Sequence, residues 1–387
     1  MSDPMAPSRL TGADRHASWL ELFFDLVAIA GIGALAHLLE EDSSRGGVAV
    51  YVIAFAAIWM IWSCFTVYGN IAGDEVHTLV ILGAMFVLGV MIAAIPEIRG
   101  EHATAFAVAY VVGRFLAGRP WKRSAVVVDL PVVQTGAGII PWVVSFWFDG
   151  TAQYALWAVG LALDLLFLVS TNRDRLIAGL QDRLERHQRP SRPAVELEAA
   201  DVDVPHLGER LGLFILIVIG EGLIQIIGAA GEGEWDRSLA LSGAGAFALM
   251  FGLWALAVRF GYAGVALLPE GSLPSRVLWP AHLVSALAIA TVAAMIGGLV
   301  AESHEELGDH VRWILLAAYL GYAVVSAGFN LASGAPARAG CLVPLVVAGV
   351  VVAVAPGLAA VAALWILAAG VLGAVAVSIR TKGSQVT

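Results

Sequence analysis

Four carboxylates stand inside long apolar stretches of the sequence. They are Asp25, Asp129, Asp164 and Glu221. A charged side chain near the centre of a bilayer costs about 2.5–3.5 kcal/mol on insertion scales, so such residues usually face a cavity or a partner. A carboxylate that is shielded from water can carry or donate a proton. We therefore predict that these four acids carry the chemistry of the protein.

Nine further polar residues are candidates for binding a substrate. They are Glu21, Asn70, Asp74, His77, Arg114, His206, Glu209, Arg210 and His282. The arginines can hold an anionic substrate or pair with an acid, and Arg114 has three candidate partners in Asp25, Asp129 and Asp164. Glu21 lies one helical turn before Asp25, so both acids are predicted on one helical face.

Structural roles compete with chemical ones at several of these positions. The segment Ser-Trp-Leu-Glu21 fits a capping box, in which Glu21 satisfies backbone amides at a helix start. Glu209 and its neighbour Arg210 fit an ion pair at the membrane interface. His77 and His282 are predicted near helix ends, where hydrated interfacial histidines are common.

Metal and nucleotide motifs are sparse. His206-x-x-Glu209 and Asp74-x-x-His77 each offer two potential ligands, a spacing that is common by chance, so no metal site is predicted. Asn70-Ile-Ala-Gly-Asp74 is loosely similar to the Asn-x-x-x-Asp element with which membrane prenyltransferases hold magnesium diphosphate. Only that alternative names Mg²⁺ as a cofactor, and it needs a second aspartate-rich loop. The sequence has no Walker loop, which argues against a single-chain ATP-driven pump.

The composition identifies the environment of these residues. Of 387 residues, 59% are hydrophobic and 14% are charged, and the mean hydropathy is +0.83. Soluble domains carry about 25% charged residues, so we predict an all-α, polytopic integral membrane protein. Its predicted partners are the lipid bilayer and a small-molecule or ion substrate. A formal net charge of −9 without a basic patch argues against nucleic acid.

Apolar runs of spanning length predict about 12 transmembrane helices. The predicted spans are 20–39, 50–69, 76–95, 102–118, 124–148, 151–170, 206–229, 238–262, 279–300, 311–331, 339–356 and 358–379. The last two share one apolar stretch, which we divide at Pro356-Gly357 because this pair breaks a helix.

Loop charges orient these spans, because cytoplasmic loops collect Lys and Arg. Basic loops include those at Arg119, Arg276 and Arg338, and the alternate loops are acidic. We predict a multi-pass protein of the cell membrane with cytoplasmic N- and C-termini and no cleavable signal sequence. Most candidate residues then lie in the cytoplasmic half, in one polar vestibule, with Glu221 near mid-membrane.

Weak internal matches predict a duplication. Trp62 is matched by Trp254 and Trp157 by Trp365, each with similar neighbours. Because six is an even number of helices, the two repeats would be parallel. The predicted organisation is a cytoplasmic segment 1–17, a first six-helix repeat 18–170, an Arg-rich cytoplasmic linker 171–205, a second six-helix repeat 206–380 and a cytoplasmic tail 381–387.

Two segments resemble the signatures of a known family. Glu21-Leu-Phe-Phe-Asp25-Leu-Val27 resembles the opening signature of the bacterial low temperature requirement protein A (LtrA) family. His206-Leu-Gly-Glu209-Arg210-Leu-Gly-Leu-Phe214, running on to Gly220-Glu221, resembles its second signature. Ala28-Ile-Ala-Gly31 departs from the family, which usually has aromatic residues there. The resemblance implies an integral membrane protein and supplies no reaction.

Three functions are compatible with these observations. The first is a transporter of a small molecule or ion, coupled to protons through Asp25 and Glu221, with Arg114 and Arg210 tuning the acids or holding an anion. The second is a membrane-embedded enzyme acting on a lipid or isoprenoid diphosphate by acid or magnesium-assisted carbocation chemistry. The third is a non-catalytic membrane scaffold or sensor. We expect transport, because parallel repeats and a deep carboxylate favour it.

Overall fold

The computed structural model describes residues 16–123, 126–127, 136–170, 182, 198–199, 202–262, 275–332 and 336–383. Asp129 and most of the predicted 171–205 linker lie outside these residues, as do residues 124–125 and 128–135 of the fifth predicted span.

The described chain is almost entirely helical. Its α-helices are α1 (Trp19–Glu41), α2 (Arg45–Ala72), α3 (Thr78–Ala93), α4 (Ala103–Gly118), α5 (Ile139–Val144), α6 (Gly150–Ser170), α7 (Val204–Glu232), α8 (Arg237–Trp254), α9 (Ser275–Ala301), α10 (Asp309–Ala332), α11 (Pro336–Gly340), α12 (Val343–Val354) and α13 (Ala360–Gly383). Short 3₁₀ turns cover Gly73–Glu75, Pro120–Arg123 and Ser145–Trp147, and the π-helical turn Ala255–Arg259 continues α8. Two-residue strands, β1 (Val126–Val127) and β2 (Glu198–Ala199), pair in parallel.

Local sequence signals explain where several helices begin and end. The capping box predicted at the start of α1 is confirmed, because Ser18 Oγ accepts the Glu21 N–H while the Glu21 carboxylate accepts the Ser18 N–H. The division of the last apolar stretch is also confirmed, with Gly357 at a φ of 62° between α12 and α13. A positive φ suits glycine, which has no Cβ to clash.

Nine helices among the described residues are long and apolar enough to cross a membrane. Two predicted spans coincide with the shorter apolar helices α3 and α4, which have 16 residues each. At 1.5 Å per residue these two are about 24 Å long, less than the roughly 30 Å hydrocarbon core of a bilayer. The multi-pass character of the protein is therefore established, and the count of twelve stays a prediction.

Helices α2 and α9 form the centre of the bundle. In their most apolar windows 78% and 83% of the residues are buried, against 33% in α6 and α7. The outer helices expose large apolar side chains such as Phe86, Leu166 and Ile224. Exposed apolar surface of this kind is expected where lipid, rather than water, surrounds a helix.

The helices pack in two successive groups. In the first group, α1 packs on α2 and α3, α3 on α4, α4 on α5, α5 on α6, and α6 on α2. In the second group, α7 packs on α8 and α9, α9 on α10, α10 on α12, α12 on α13, and α13 on α8. The first group joins the second mainly through α1, which packs on α7 and α9.

Candidate functional site

A buried ion pair joins the two groups of helices. Arg210 of α7 donates from Nε to Asp25 Oδ2 at 2.9 Å and from Nη2 to Asp25 Oδ1 at 2.6 Å. Trp62 Nε1–H donates to the same Asp25 Oδ1 at 2.7 Å. Asp25 and Arg210 are 0% and 1% exposed. Three charge-assisted or indole hydrogen bonds therefore hold the Asp25 carboxylate in a fixed position between α1, α2 and α7.

Glu21 belongs to the same buried cluster, besides capping α1. Its Oε1 lies 3.1 Å from Arg210 Nη1, and its Oε2 lies 3.4 Å from His206 Nε2. The prediction that Glu21 and Asp25 share one helical face is confirmed, because both contact Arg210. Gly69 of α2 permits this approach, since a Cβ at that position would lie 2.8 Å from Glu21 Oε1.

Asn70 ties the end of α2 to the start of α7. Its Oδ1 accepts the backbone N–H of Asp203 at 2.9 Å, and its Nδ2 donates to the Asp203 carbonyl at 2.9 Å. The same Nδ2 lies 3.1 Å from His206 Nδ1. Because the two Asp203 contacts fix the orientation of the amide, His206 Nδ1 is an acceptor, and the proton of the neutral ring is on Nε2, facing Glu21.

This use of Asn70 bears on the magnesium diphosphate alternative. The carboxamide oxygen and nitrogen are both engaged by Asp203 and His206. The side chain of Asp74 is not among those that the structure describes. No group of three or more His, Cys, Asp or Glu side chains in the described part of the chain is arranged to hold a metal ion. The alternative therefore has no support from the described residues.

His282 is fully buried, and its prediction as an interfacial residue is wrong. Trp59 Nε1–H donates to its Nδ1 at 3.0 Å, and its Nε2 lies 3.2 Å from the carbonyl of Leu211. Its ring stacks on Trp62 with centroids 5.6 Å apart. The cause of the error is that α9 begins at residue 275, so His282 lies two turns inside the helix.

Two tryptophans of this site were not identified as site residues from the sequence. Trp59 and Trp62 orient His282 and Asp25 through their indole N–H groups. Tryptophan in membrane helices is enriched near the interfaces, whereas these two lie well inside α2. A buried indole N–H needs an acceptor, so their depth in the span was a usable signal.

A second buried ion pair lies within the first group of helices. Arg114 of α4 pairs with Asp164 of α6, which is one of its three predicted partners, and both side chains are 1% exposed. Arg114 Nη1 also donates to Tyr110 Oη at 3.0 Å. The Asp164 carboxylate lies against Gly138, where a Cβ would overlap it. Because both ion pairs are buried, the predicted open vestibule around them stays a prediction.

Glu221 lies on α7 away from the Asp25 pair, toward the other end of the bundle. It is half-buried against Gly33 of α1, whose Cβ would lie 2.8 Å from Glu221 Oε1. Gln225 Nε2 donates to Glu221 Oε1 at 3.0 Å. Gln225 also lines a cavity of about 490 Å³, together with Glu40 and Glu232. Gln225 thus connects Glu221 to the lining of this cavity.

The remaining predicted residues lie at the edge of the site or outside it. Glu209 does not pair with Arg210; its Oε2 accepts the Ala17 N–H at 3.2 Å and lies 3.5 Å from His16. The prediction of an interfacial Glu209–Arg210 pair is therefore wrong, because successive helical residues point to different faces. His77 is exposed at the start of α3, and its backbone N–H donates to the Tyr68 hydroxyl.

The buried cluster brings two carboxylates to one guanidinium. Asp25 and Glu21 both contact Arg210, and His206 is held with its Nε2 toward Glu21. Ionisable groups inside a membrane bundle usually pair with one another in this way. A proton taken up by the Asp25 carboxylate would remove its negative charge and weaken its pairing with Arg210, so the arrangement is suited to binding and releasing a proton.

Comparison with known proteins identifies the family to which the chain is similar. The model of the bacterial low temperature requirement A protein (LtrA) family matches residues 16–379. Uncharacterized protein RA0937 of Rhizobium meliloti (strain 1021) is 29% identical over 224 residues, which are 54% of this chain and 50% of that protein. The chain therefore spans about half the length of this relative. No solved structure matches the chain.

Proposed function

The chain belongs to the bacterial low temperature requirement A (LtrA) family, and we propose that it is a proton-linked transporter of a small molecule or ion. The observation that carries this proposal is the buried ion pair of Asp25 with Arg210, whose guanidinium also contacts Glu21. Ionisable residues inside a membrane bundle mark ion pathways and proton relays. Uptake of one proton by Asp25 removes the negative charge that holds Arg210.

The position of the cluster favours transport over a purely local role. Arg210 belongs to α7, the first helix of the second group, and Asp25 to α1, the first helix of the first group. A proton that neutralises Asp25 weakens the bond between the groups, so protonation and rearrangement are coupled. Coupling sites at the interface between repeats are common in secondary transporters.

Two features support the proposed parallel duplication. Both groups share one packing order, in which the first helix contacts the second and third and the sixth returns to the second. Here α11 and α12 together correspond to the fifth helix of the second group. Together with the internal sequence matches, this order supports repeats 18–170 and 206–380 joined by the 171–205 linker. The proposed orientation has both termini in the cytoplasm, because the basic loops then lie inside.

Glu221 is proposed as a second proton-binding group. Its partner Gln225 lines the cavity of about 490 Å³, so protons can reach Glu221 from the end of the bundle opposite Asp25. Two acids reached from opposite ends suit a protein in which a coupling ion crosses the membrane in steps. Arg114 and Asp164 satisfy each other within the first group, so their proposed role is to fix α4 against α6.

Proton coupling can be tested before the substrate is known. Membrane vesicles containing the wild-type protein are acidified inside and carry a pH-sensitive dye, and Na⁺, K⁺, Ca²⁺, organic amines, organic anions and amino acids are added one at a time. We expect a member of this panel to dissipate the pH gradient through wild-type protein. Asp25→Asn should abolish this response, because the buried pair then has no carboxylate that can take up a proton.

The matched control is Glu101→Gln, which removes an exposed carboxylate in the α3–α4 loop and should keep the wild-type response. A wild-type protein that moves protons with no member of the panel would contradict proton-linked transport of these classes. Equal responses of the wild type and Asp25→Asn would show that the buried cluster is not the coupling site.

A further inference from the structure

Three hydroxyl groups line one face of α10 in the interior of the second group of helices. Tyr319, Tyr322 and Ser326 are spaced by three and four residues, which places them on the same helical face. Their exposed fractions are 2%, 2% and 0%. Tyr319 packs against Gly349 of α12, where a Cβ would lie 3.2 Å from Tyr319 Cβ. The face therefore points into protein and not into lipid.

Within the described part of the chain, none of these three hydroxyls has a hydrogen-bond partner. Tyr322 and Ser326 are close enough to interact, but they are not in hydrogen-bonding geometry. Ser285 of α9 and Ser242 of α8, in the same group of helices, are also 0% exposed and lack a partner. Five buried hydroxyls in one group of helices thus share the same deficiency.

Three other hydroxyls of the second group, those of Ser378, Thr291 and Tyr262, do have hydrogen-bond partners. Ser378 donates to the Ala374 carbonyl at 2.8 Å and Thr291 to the Leu287 carbonyl at 2.7 Å, the usual bond of a hydroxyl to the preceding turn. The Tyr262 hydroxyl lies 3.0 Å from Ser378 Oγ and donates to the Arg338 carbonyl at 3.1 Å. Ser326 makes no such bond to the preceding turn.

We propose that the second group of helices holds a column of bound water along Tyr319, Tyr322 and Ser326. A buried donor or acceptor without a partner costs about 1–3 kcal/mol, and the hydrocarbon around the bundle offers no partner. The three side chains are neutral, and each can both donate and accept. Water is the ligand that matches such groups, and it bridges hydroxyls that do not reach each other directly.

The column leads toward one end of the bundle. The three hydroxyls run along α10 toward its end at Ala332, and α11, which contains Arg338, follows that end. Tyr262 and Ser378 lie at the same end, because the Tyr262 hydroxyl donates to the Arg338 carbonyl and lies 3.0 Å from Ser378 Oγ. As a consequence that rests on the proposed function, this column gives protons a hydrogen-bonded route through the second group of helices.

Hydroxyl-radical footprinting of the full-length protein in detergent tests the column directly. Radicals formed from bound water oxidise adjacent side chains, and mass spectrometry measures the oxidation rate of each tyrosine. Tyr110 is the internal control, because it is 0% exposed and its hydroxyl accepts a bond from Arg114. We expect Tyr319 and Tyr322 to oxidise several-fold faster than Tyr110. Equal rates for all three tyrosines would overturn the proposal.

The melting temperature of Tyr322→Phe supplies an independent test, because bound water and an unoccupied site predict changes in opposite directions. If the hydroxyl is bonded to water, its removal leaves that water short of a partner and lowers the melting temperature. If the hydroxyl has no ligand, its removal relieves a penalty and raises the melting temperature, which would also overturn the proposal. Tyr262→Phe is the reference for the loss of a satisfied hydroxyl.

The proton route is judged separately in the vesicle assay. Fast oxidation of both tyrosines with unchanged proton flux in Tyr322→Phe would keep the water column and reject its part in transport. Loss of flux in Asp25→Asn but not in Tyr322→Phe would leave the proposed transporter intact, so the two proposals fail independently.

Discussion

Arg210 and Asp25, 185 residues apart, form a two-pronged ion pair in which the guanidinium donates to both carboxylate oxygens. This geometry uses the planar fork of arginine, which lysine cannot reproduce. The pair is buried between the first helices of the two groups, and Glu21 extends it to a second carboxylate. The Arg210 guanidinium therefore contacts two carboxylates in an apolar interior.

Removal of the cation should cost more than removal of one anion. Arg210→Met leaves the Asp25 carboxylate buried without its cation, and we expect a loss of about 3–5 kcal/mol of stability. Asp25→Asn leaves Arg210 paired with Glu21, so its loss should be clearly smaller. Thermal unfolding in detergent at pH 7 measures both. Arg276→Met, at an exposed arginine of α9, should be close to wild type. Equal losses for the two buried variants would contradict the view that Asp25 depends on the Arg210 cation.

The sequence predicts the positions of helices better than their partners. The α1 capping box and the break at Gly357 are confirmed, because each depends on residues within a few positions of one another. The shared face of Glu21 and Asp25 follows from helical periodicity. The partner of Asp25 was not predictable, because it depends on how α1 and α7 are placed, and Arg210 is 185 residues away.

The errors at Glu209 and His282 have related causes. Glu209 is adjacent to Arg210, but adjacency in a helix directs side chains to different faces, and Arg210 points to α1. His282 was placed near a helix end because the apolar run begins at residue 279, whereas α9 begins four residues earlier. Hydropathy locates the apolar part of a helix and not its first turn.

Asn70 is predicted to be a structural link between helices and not a metal ligand. Both Asn70→Ala and Asn70→Asp remove the donor to the Asp203 carbonyl and His206, and each should cost about 1–3 kcal/mol. A cation site would instead tolerate Asn70→Asp, since a carboxylate binds magnesium better than an amide. Thermal unfolding of both variants with and without MgCl₂ decides between these outcomes. A magnesium-dependent stabilisation of Asn70→Asp would restore the diphosphate alternative.

Gly138 should be intolerant of any side chain. A Cβ at this position would overlap the Asp164 carboxylate and push it from its partner Arg114. We expect Gly138→Ala to lower stability by about 3–5 kcal/mol, because it disturbs a buried ion pair. Gly136→Ala is the matched control, since its nearest neighbour would be Ile139 Cδ1 at 3.8 Å, an ordinary contact. Similar melting temperatures of the two variants would mean that Asp164 can move without loss of its pairing.

The contribution of Asp236 to the stability of the fold should depend on pH in a direction that its hydrogen bonds determine. It caps α8, and the backbone N–H of Leu239, followed by the His304 side chain, lowers the pKa of Asp236 below its ordinary value of 3.8. A carboxylate with a lowered pKa in the folded state adds stability above its unfolded pKa and loses it as the pH falls through the folded value. This contribution should therefore begin to fall below about pH 4 and be lost progressively as the pH decreases further.

Asp236→Asn is the matched variant, because asparagine still caps the helix but does not ionise. We expect the melting temperature of the wild type to exceed that of Asp236→Asn at pH 6, and the difference to shrink as the pH falls from 5 to 3. Other carboxylates titrate in the same range, but they do so equally in both proteins and cancel in the difference. A difference that stays constant across this range would show that ionised Asp236 does not stabilise the folded protein.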